Sequence, residues 1–332
     1  MTPGQVDAGW AALAGAASYT HYRSLGDAAQ RLIAEAQTER RVMTGIPVFD
    51  REMRGISPGH LLKIDGYSHS GKTLVALHMI RHNRNRRVAY FVPDEPAPLV
   101  LTKLACQSWG VSGGELEARV ASGDPWGLKV LNETIEEFPT LAVFDRPLTP
   151  RAMQAGYDEA CTKWGAPGDL VIVDYLDLLQ AGDSVSARAD YVKTFGTTND
   201  VPMAVCHQTS RSAGSRGQSM RIDSGAFGGE THATFQIGVW RRKSAIVAEL
   251  QDLESRVAKT EWAEDRIDYL QRELQVAQYT ITLNLNKNKR PSGRLVDDTD
   301  FELDVETGCL WPLHPSEFPR QCYGRHLRAV ED

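Results

Sequence analysis

The chain carries a succession of short apolar runs, each closed by an acid, a proline or a polar turn. Leu61-Leu62-Lys63-Ile64-Asp65, Arg87 to Val92, Thr140 to Asp145, Asp169 to Asp174 and Val201 to Cys206 are the clearest. Runs of this length, apolar nearly throughout, are what strands buried on both faces require. Segments of helical character separate them: Leu74 to His82, residues 97–121, and Pro150 to Trp164, with Thr149 as N-cap and Pro150 in the first turn. Strands that alternate with helices predict an α/β fold with a mainly parallel sheet. In such sheets ligands bind outside the C-terminal strand ends.

The pattern changes after Cys206. Residues 209–226 are polar and rich in Ser, Gly and Arg, a loop composition. Phe235 to Trp240 and Tyr279 to Asn286 read as further strands, and Phe301 to Trp311 predicts a closing hairpin. Between them, residues 243–278 contain neither Gly nor Pro. Ile246, Leu250, Leu253 and Val257 step at helical spacing, as do Ile267, Leu270, Leu274 and Ala277. The two runs do not share one heptad phase, so a coiled-coil-like helical hairpin turning near residues 260–265 is expected. At the other end, residues 1–42 read as an arm. Asp27 is placed to cap a helix through Ala28, Leu32, Ile33 and Ala36. That helix either packs on its own core or links to a neighbouring subunit. The expected division is an arm over 1–42, a core over 43–312 with the 243–278 insertion, and a tail over 313–332.

One stretch carries defined chemistry. Gly66-Tyr67-Ser68-His69-Ser70-Gly71-Lys72-Thr73 reads G-x-x-x-x-G-K-T, between a predicted strand and a helix that continues from Leu74. This is a P-loop. A triphosphate needs backbone N–H groups aimed at it from several directions, and Gly66 and Gly71 let the chain come close. The helix N-terminus adds the positive end of its dipole. Lys72 offers a charge to the β and γ oxygens, and Thr73 a hydroxyl to Mg²⁺.

Composition sets outer bounds. The chain has 332 residues, 42% apolar and 24% charged, which is ordinary for a water-exposed globular protein. No apolar run approaches the ~18 residues of a membrane span, and the first residues lack the basic start of a secretory signal. Five cysteines, scattered and odd in number, suit a reducing cytoplasm rather than a disulfide framework. A net charge of −6 does not by itself point to nucleic acid, yet a groove can be basic while the outside is acidic. Cys309, His314, Cys322 and His326 are zinc-binding residue types, but their spacing is no recognised knuckle, and packed or exposed side chains are the expectation.

The motifs, taken in order, resemble those of RecA-fold ATPases, most closely the DnaB-like replicative helicases, over roughly residues 44–312. Thr44-Gly45 through Pro58-Gly59 is similar to the family's lead-in to the P-loop. Asp169 to Asp174 with Tyr175-Leu176-Asp177 resembles its Walker B strand. Val201-Pro202 through His207-Gln208-Thr209-Ser210-Arg211 resembles its sensor strand, and Ser224-Gly225-Ala226 the following motif. Asn286-Lys287-Asn288-Lys289-Arg290-Pro291-Ser292-Gly293 is similar to the segment with its trans-acting basic finger. The resemblance implies a RecA-like P-loop NTPase core that uses ATP and Mg²⁺.

It also implies roles. The P-loop residues 66–73 with Leu74 would hold the nucleotide, and Thr73 and Asp174 the metal. A carboxylate at the end of the second strand would accept a proton from the attacking water. Asp94 falls on the ungapped match, whereas Glu95 reaches further and is preferred. Gln208 would sense the γ-phosphate. Lys287, Lys289 or Arg290 would reach the nucleotide of the next subunit, with Lys289 where the ungapped match expects arginine. Arg211, Arg216 and Arg221, among glycines and serines and without an acid over 209–221, would track a phosphate backbone, and a loop after the Walker B strand, Ala181 to Ala189, would add Arg188 as a second contact.

The implied protein is a homo-oligomer, a hexameric ring translocating on single-stranded or forked DNA in replication. Residues 1–42 leave little room for the family's N-terminal domain. That compact form would suit a phage or plasmid protein. Two other readings keep the ATPase. One is a recombination or repair protein acting on branched or single-stranded DNA, as mediator, pairing protein or structure-specific nuclease. The other is a KaiC-like regulator that binds protein partners through the insertion.

Overall fold

The computed structural model describes residues 24–37, 41–209, 231–255, 260–291 and 293–312. Its centre is β1 (Leu61–Gly66), buried at every position. The flanking strands are β2 (Val88–Phe91), β3 (Leu141–Phe144), β4 (Leu170–Asp174), β5 (Met203–Gln208) and β6 (Phe235–Trp240). The sheet closes with β7 (Thr280–Asn288), β8 (Val296–Leu303) and β9 (Leu310–Pro312). Among the described residues this is one nine-stranded sheet, ordered β3-β2-β4-β5-β1-β6-β7-β8-β9. Pairing is parallel from β3 through β6 and antiparallel from β6 to β9. The mainly parallel α/β sheet expected from the sequence is present. The apolar runs are its central strands because both faces are covered.

Two cores lie on opposite faces. On one, Leu62, Ile64, Tyr90, Ile172 and Ile237 pack under helix α3 (Lys72–His82), which contributes Val75, Ala76 and Met79. On the other, Leu61, Val171, Val173, Met203 and Val205 pack under α7 (Pro150–Trp164) and α8 (Val185–Thr198). The lead-in segment braces α3 from behind. Asp50 accepts the Thr44 and Gly45 amides at 2.7 and 3.0 Å, and His78 Nε2 lies 3.0 Å from the Gly45 carbonyl. Gly45 has φ +80°, and a Cβ there would lie 2.8 Å from His82. Glycine is therefore required at this turn.

Several elements differ from expectation. Residues 97–121 form two helices, α4 (Ala97–Trp109) and α5 (Gly113–Ala121). Gly110 ends the first at φ 67°, and Ser112 caps the second by accepting the Glu115 amide. Three helices were not anticipated: α2 (Pro47–Met53), α6 (Pro125–Glu137), capped by Asp124, and α8, whose first turns replace part of the loop expected over 181–189. In α1 (Leu25–Gln37) the cap is Ser24 rather than Asp27. The Ser24 amide donates to Asp27 Oδ2 and the Asp27 amide to Ser24 Oγ, which sets Asp27 in the first turn. Leu32 and Ile33 of α1 are each 55% exposed, so this apolar face is not covered within the described residues. Arg31 ties the helix to the core through Asp200.

The helical insertion is a hairpin, as its phase break predicts: α9 (Arg242–Ser255) and α10 (Glu261–Ala277). Ile246, Leu250 and Leu253 pack against Ala263, Ile267 and Leu270, and the Arg266–Glu249 and Arg242–Glu273 pairs brace the outside. It rises between two adjacent antiparallel strands, β6 and β7, so the sheet continues undisturbed beneath it.

Candidate functional site: a phosphate cradle at one sheet end and cations at the other

The parallel strands bring their C-terminal ends together at one edge of the sheet. Gly66 of β1 pairs with Gln208 of β5, Asp174 of β4 with Cys206, and Phe91 of β2 with Val173. Residues far apart in sequence therefore meet: the P-loop, Asp94 and Glu95 just beyond β2, Asp174 and Gln208.

The P-loop is held open by sterics. A Cβ at Gly66 would lie 2.6 Å from the Val239 carbonyl oxygen, and one at Gly71 2.6 Å from Ile281 Cδ1. Gly71 also has φ +105°. A larger residue at Gly66 would have to move the β6 backbone, and one at Gly71 would be strained by its positive φ as well as crowding the Ile281 side chain. Tyr67, Ser68 and His69 form the turn, with the Ser70 amide donating to the Tyr67 carbonyl at 3.1 Å. The buried Ser70 Oγ has no hydrogen-bond partner among the described residues. Lys72, at the start of α3, is 8% exposed, and its Nζ donates to the carbonyls of Gly66 (2.9 Å) and Tyr67 (2.7 Å). Burial lowers its pKa, while Cys206 and the nearby Asp174, Asp65 and Asp177 pull the other way. Thr73 and Leu74 follow in the first turn of α3.

Asp174 is 3% exposed and accepts a hydrogen bond from Tyr90 Oη at 2.9 Å. Burial and that carboxylate push the Tyr90 hydroxyl well above its ordinary pKa, so it remains a donor. Asp174 and Thr73 offer oxygens of the kind Mg²⁺ takes. A site with few protein ligands suits a metal that keeps waters and binds substrate phosphates. The unpartnered Ser70 Oγ in the same cradle fits a phosphate-bearing ligand.

The two candidate bases stand differently. Glu95 is half-buried and pairs with Lys103 of α4. Asp94 is exposed. Burial first, and then the Asp94 charge, raise the pKa of Tyr175 beside the Walker B strand. Sequence reasoning missed a further group of residues. A cavity of about 370 Å³ beside the P-loop is lined by Tyr67, Ser68, His69, Ser70, Gln208 and Thr209, and also by Arg241, Lys243, Ser244 and Val247 at the base of the hairpin. The β1–β6 register brings them there, because Val239 sits level with Gly66.

The basic segment lies at the opposite end of the sheet. Asn288 pairs with Phe235, and Phe235 with Leu62 near the start of β1. Four residues of strand, about 13 Å, separate that level from Gly66. Lys287, Lys289 and Arg290 therefore stand away from their own P-loop. Arg290 is turned inward: it donates to the carbonyls of Met53 and Gly55, each at 3.1 Å, and to Ser57 Oγ at 3.0 Å, over the Phe235 ring. Lys289 is exposed, with Nζ on the Thr231 carbonyl at 3.0 Å. Arg41, Arg54 and Lys193 add to this positive end. Burial chiefly, then Arg290 and Lys193, push the pKa of His60 down to about 4.

Arg188 stands on α8 and not on the loop expected over 181–189, because Ser184 caps the helix by accepting the Ala187 amide; it lies 3.9 Å from Asp177. Arg211, Arg216, Arg221 and the Ser224-Gly225-Ala226 motif lie outside the described residues, as do His314, Cys322 and His326. Cys309 is a buried free thiol 3.3 Å from the Gln107 carbonyl. Among the described residues no three His, Cys, Asp or Glu side chains gather as a metal site, and no helix is long and apolar enough to cross a membrane.

A strand, a glycine loop and a helix, with an acid-tipped strand one place away across β5 on a mainly parallel sheet, define a P-loop NTPase of RecA-like fold. Residues 41–224, more than half of the chain, match the family model of the DnaB-like helicase C-terminal domain, and the chain belongs to that family. No curated protein matches the sequence. Among solved structures, the ATPase domain of another protein matches at TM-score 0.64 and 16% identity, over 88% of this chain and 99% of that one. A DnaB-like replicative helicase, described with its interactions with primase, matches at TM-score 0.62 and 16% identity, over 88% of this chain and 67% of that one. A KaiC-like protein of the hyperthermophilic archaeon Pyrococcus horikoshii matches at TM-score 0.50 and 14% identity, over 82% of this chain and 99% of that one. At these identities the likenesses speak for the fold, and the family match supports a helicase role.

Proposed function

We propose that the chain is an ATP-driven motor that moves along single-stranded DNA during replication as a hexameric ring of identical copies. The observation that carries this reading is the separation of the two halves of the site. The phosphate cradle is at one end of the sheet and the exposed Lys289 at the other. A complete site then forms only where the cradle of one copy meets the cationic end of the next. The exposed apolar face of α1 supports the same assembly as a linker onto a neighbour.

In this reading the P-loop amides and Lys72 grip the triphosphate, with Lys72 exchanging its two carbonyl partners for phosphate oxygens. Thr73 and Asp174 would hold Mg²⁺, which neutralises charge on the β and γ oxygens when bound. Asp94, rather than the Lys103-paired Glu95, takes the proton of the attacking water. Gln208 reports the γ-phosphate to the arginine-bearing loop after β5, and Lys289 of the neighbouring copy steadies the charge that develops in transfer. Arg211, Arg216, Arg221 and Arg188 contact the strand backbone.

A forked DNA duplex tests the motor. Purified protein should separate the strands with ATP and not with a non-hydrolysable analogue. ATP turnover stimulated by single-stranded DNA without any strand separation points instead to a recombination or pairing ATPase. The choice of base has its own test. Asp94→Asn should lower turnover by about 10²–10⁴-fold, whereas Glu95→Gln should lower it by less than about tenfold. The reverse order in a phosphate-release assay transfers the role to Glu95.

A further inference from the structure

Beneath the P-loop, on the sheet face covered by α8, lies a line of charged groups that the ATPase mechanism does not use. Lys63 and Asp65 of β1 point to that face and are almost wholly buried. Lys63 Nζ is 3.0 Å from Asp65 Oδ1, and the same oxygen accepts a hydrogen bond from His207 Nδ1 at 2.8 Å. Burial raises the proton affinity of Asp65, but Lys63 and His207 outweigh it and hold the carboxyl below its usual value. Asp65 is thus a fixed negative charge. His207 Nε2 faces Asp177 Oδ1 across 4.0 Å. Asp177 in turn accepts the Gln208 amide at 3.2 Å and stands 3.9 Å from Arg188. On the same helix Ser186 and Asp190, one turn apart, each lie 3.3 Å from a ring nitrogen of His232.

A buried ion pair is a poor route to stability, because desolvation costs about as much as the attraction returns. What the charges add is direction. They connect the strand that leads into the phosphate cradle with the residue next to Gln208 and with the helix that carries Arg188.

We propose that Asp65, His207 and Asp177 form a positioning line that couples the nucleotide-sensing end of β5 to α8, and so to Arg188. His207 and Asp177 are positioning residues, since neither lines the cavity beside the P-loop. The line fixes where the Gln208 backbone sits, and a shift of Gln208 toward a γ-phosphate draws on Asp177 and Arg188. This rests on the motor reading above.

The test is the stimulation of ATP turnover by oligo-dT. His207→Asn retains a side-chain N–H for Asp65 but is too short to approach Asp177. Asp177→Asn retains an acceptor for the Gln208 amide but drops the charge that faces His207 and Arg188. Each variant is expected to keep basal turnover and nucleotide affinity within about twofold, while stimulation falls about tenfold, the size of a typical coupling between sites. The double variant should be no worse than either single one, because both cut the same line. Wild-type stimulation in both variants overturns the proposal, as do additive losses in the double variant. Loss of basal turnover and nucleotide binding together with stimulation also overturns it, since that is the mark of a packing role. A wild-type protein that hydrolyses no ATP removes the motor reading itself, whereas a stimulated wild type with equally stimulated variants removes only this line.

Discussion

Lys72→Ala is expected to reduce ATP turnover by at least about a thousandfold while the protein stays folded. The side chain is buried at the entrance of α3 and already points along the loop, bonded to two of its carbonyls. The nearest alternatives stand elsewhere: Arg241 and Lys243 line the neighbouring cavity, and the cations of residues 287–290 are at the far end of the sheet. A charge that meets developing phosphate charge in a water-poor cradle is worth far more than the same charge in solvent. The structural cost is small. Two carbonyls lose one charged donor, a change of about 1–3 kcal/mol. At this chain length that lowers the melting temperature by no more than roughly 10 °C. Phosphate release and a thermal melt together check both halves. Unchanged turnover removes the cradle from the mechanism.

The second large effect is expected at Lys289. Its replacement by alanine should cut turnover by about 10²–10⁴-fold while nucleotide affinity stays within about threefold. The defect should be shared out between subunits. When Lys289→Ala protein is mixed with Lys72→Ala protein, some seams pair an intact cradle with an intact Lys289, and activity should return. Absence of rescue at every mixing ratio argues against action across a seam. Arg290→Ala has a different signature in the same assay. Arg290 holds Met53, Gly55 and Ser57 of its own chain, so its loss should show first as a lower melting temperature.

The central strands and the cradle were legible because their physics is local. Leu170 to Val173 is apolar at every position, and only a strand covered on both faces has use for that. The G-x-x-x-x-G-K-T spacing specifies a shape that few other residue types can take. The hairpin was legible from its broken phase. What escaped the sequence depends on partners distant along the chain. Strand β8 begins at Val296, earlier than expected, because its exposed Asp297 and Asp298 read as loop until β7 is known to pair beside them. Helix α6 was missed although Asp124-Pro125 is a start signal, because Trp126-Gly127 directly after it reads as a turn.

The same holds within the site. Arg241 and Lys243 look like ordinary helix-flanking cations, and only the β6 register sets them beside the P-loop. Lys63 and Asp65 interrupt an otherwise apolar strand, a signal visible in the sequence but without meaning until His207 is found opposite. Reach alone favoured Glu95 over Asp94, and the pairing of Glu95 with Lys103 was not readable; nor was the inward turn that separates Arg290 from Lys289. In each case a residue type and a position were readable, and the neighbour that decides its task was not.

Strand β7 touches both halves of the divided site. Near its start Ile281 bears on Gly71 and shapes the loop that grips phosphate, and just past its end stands Lys289. A pleated backbone hardly stretches, so the interval between them is at most roughly 26 Å, shortened by the bulge at Asn286, and depends little on how the flanking loops relax. In a closed assembly each copy then acts as a ruler of fixed length. In the ring proposed above, a movement at one clasp would be carried to the next through this strand.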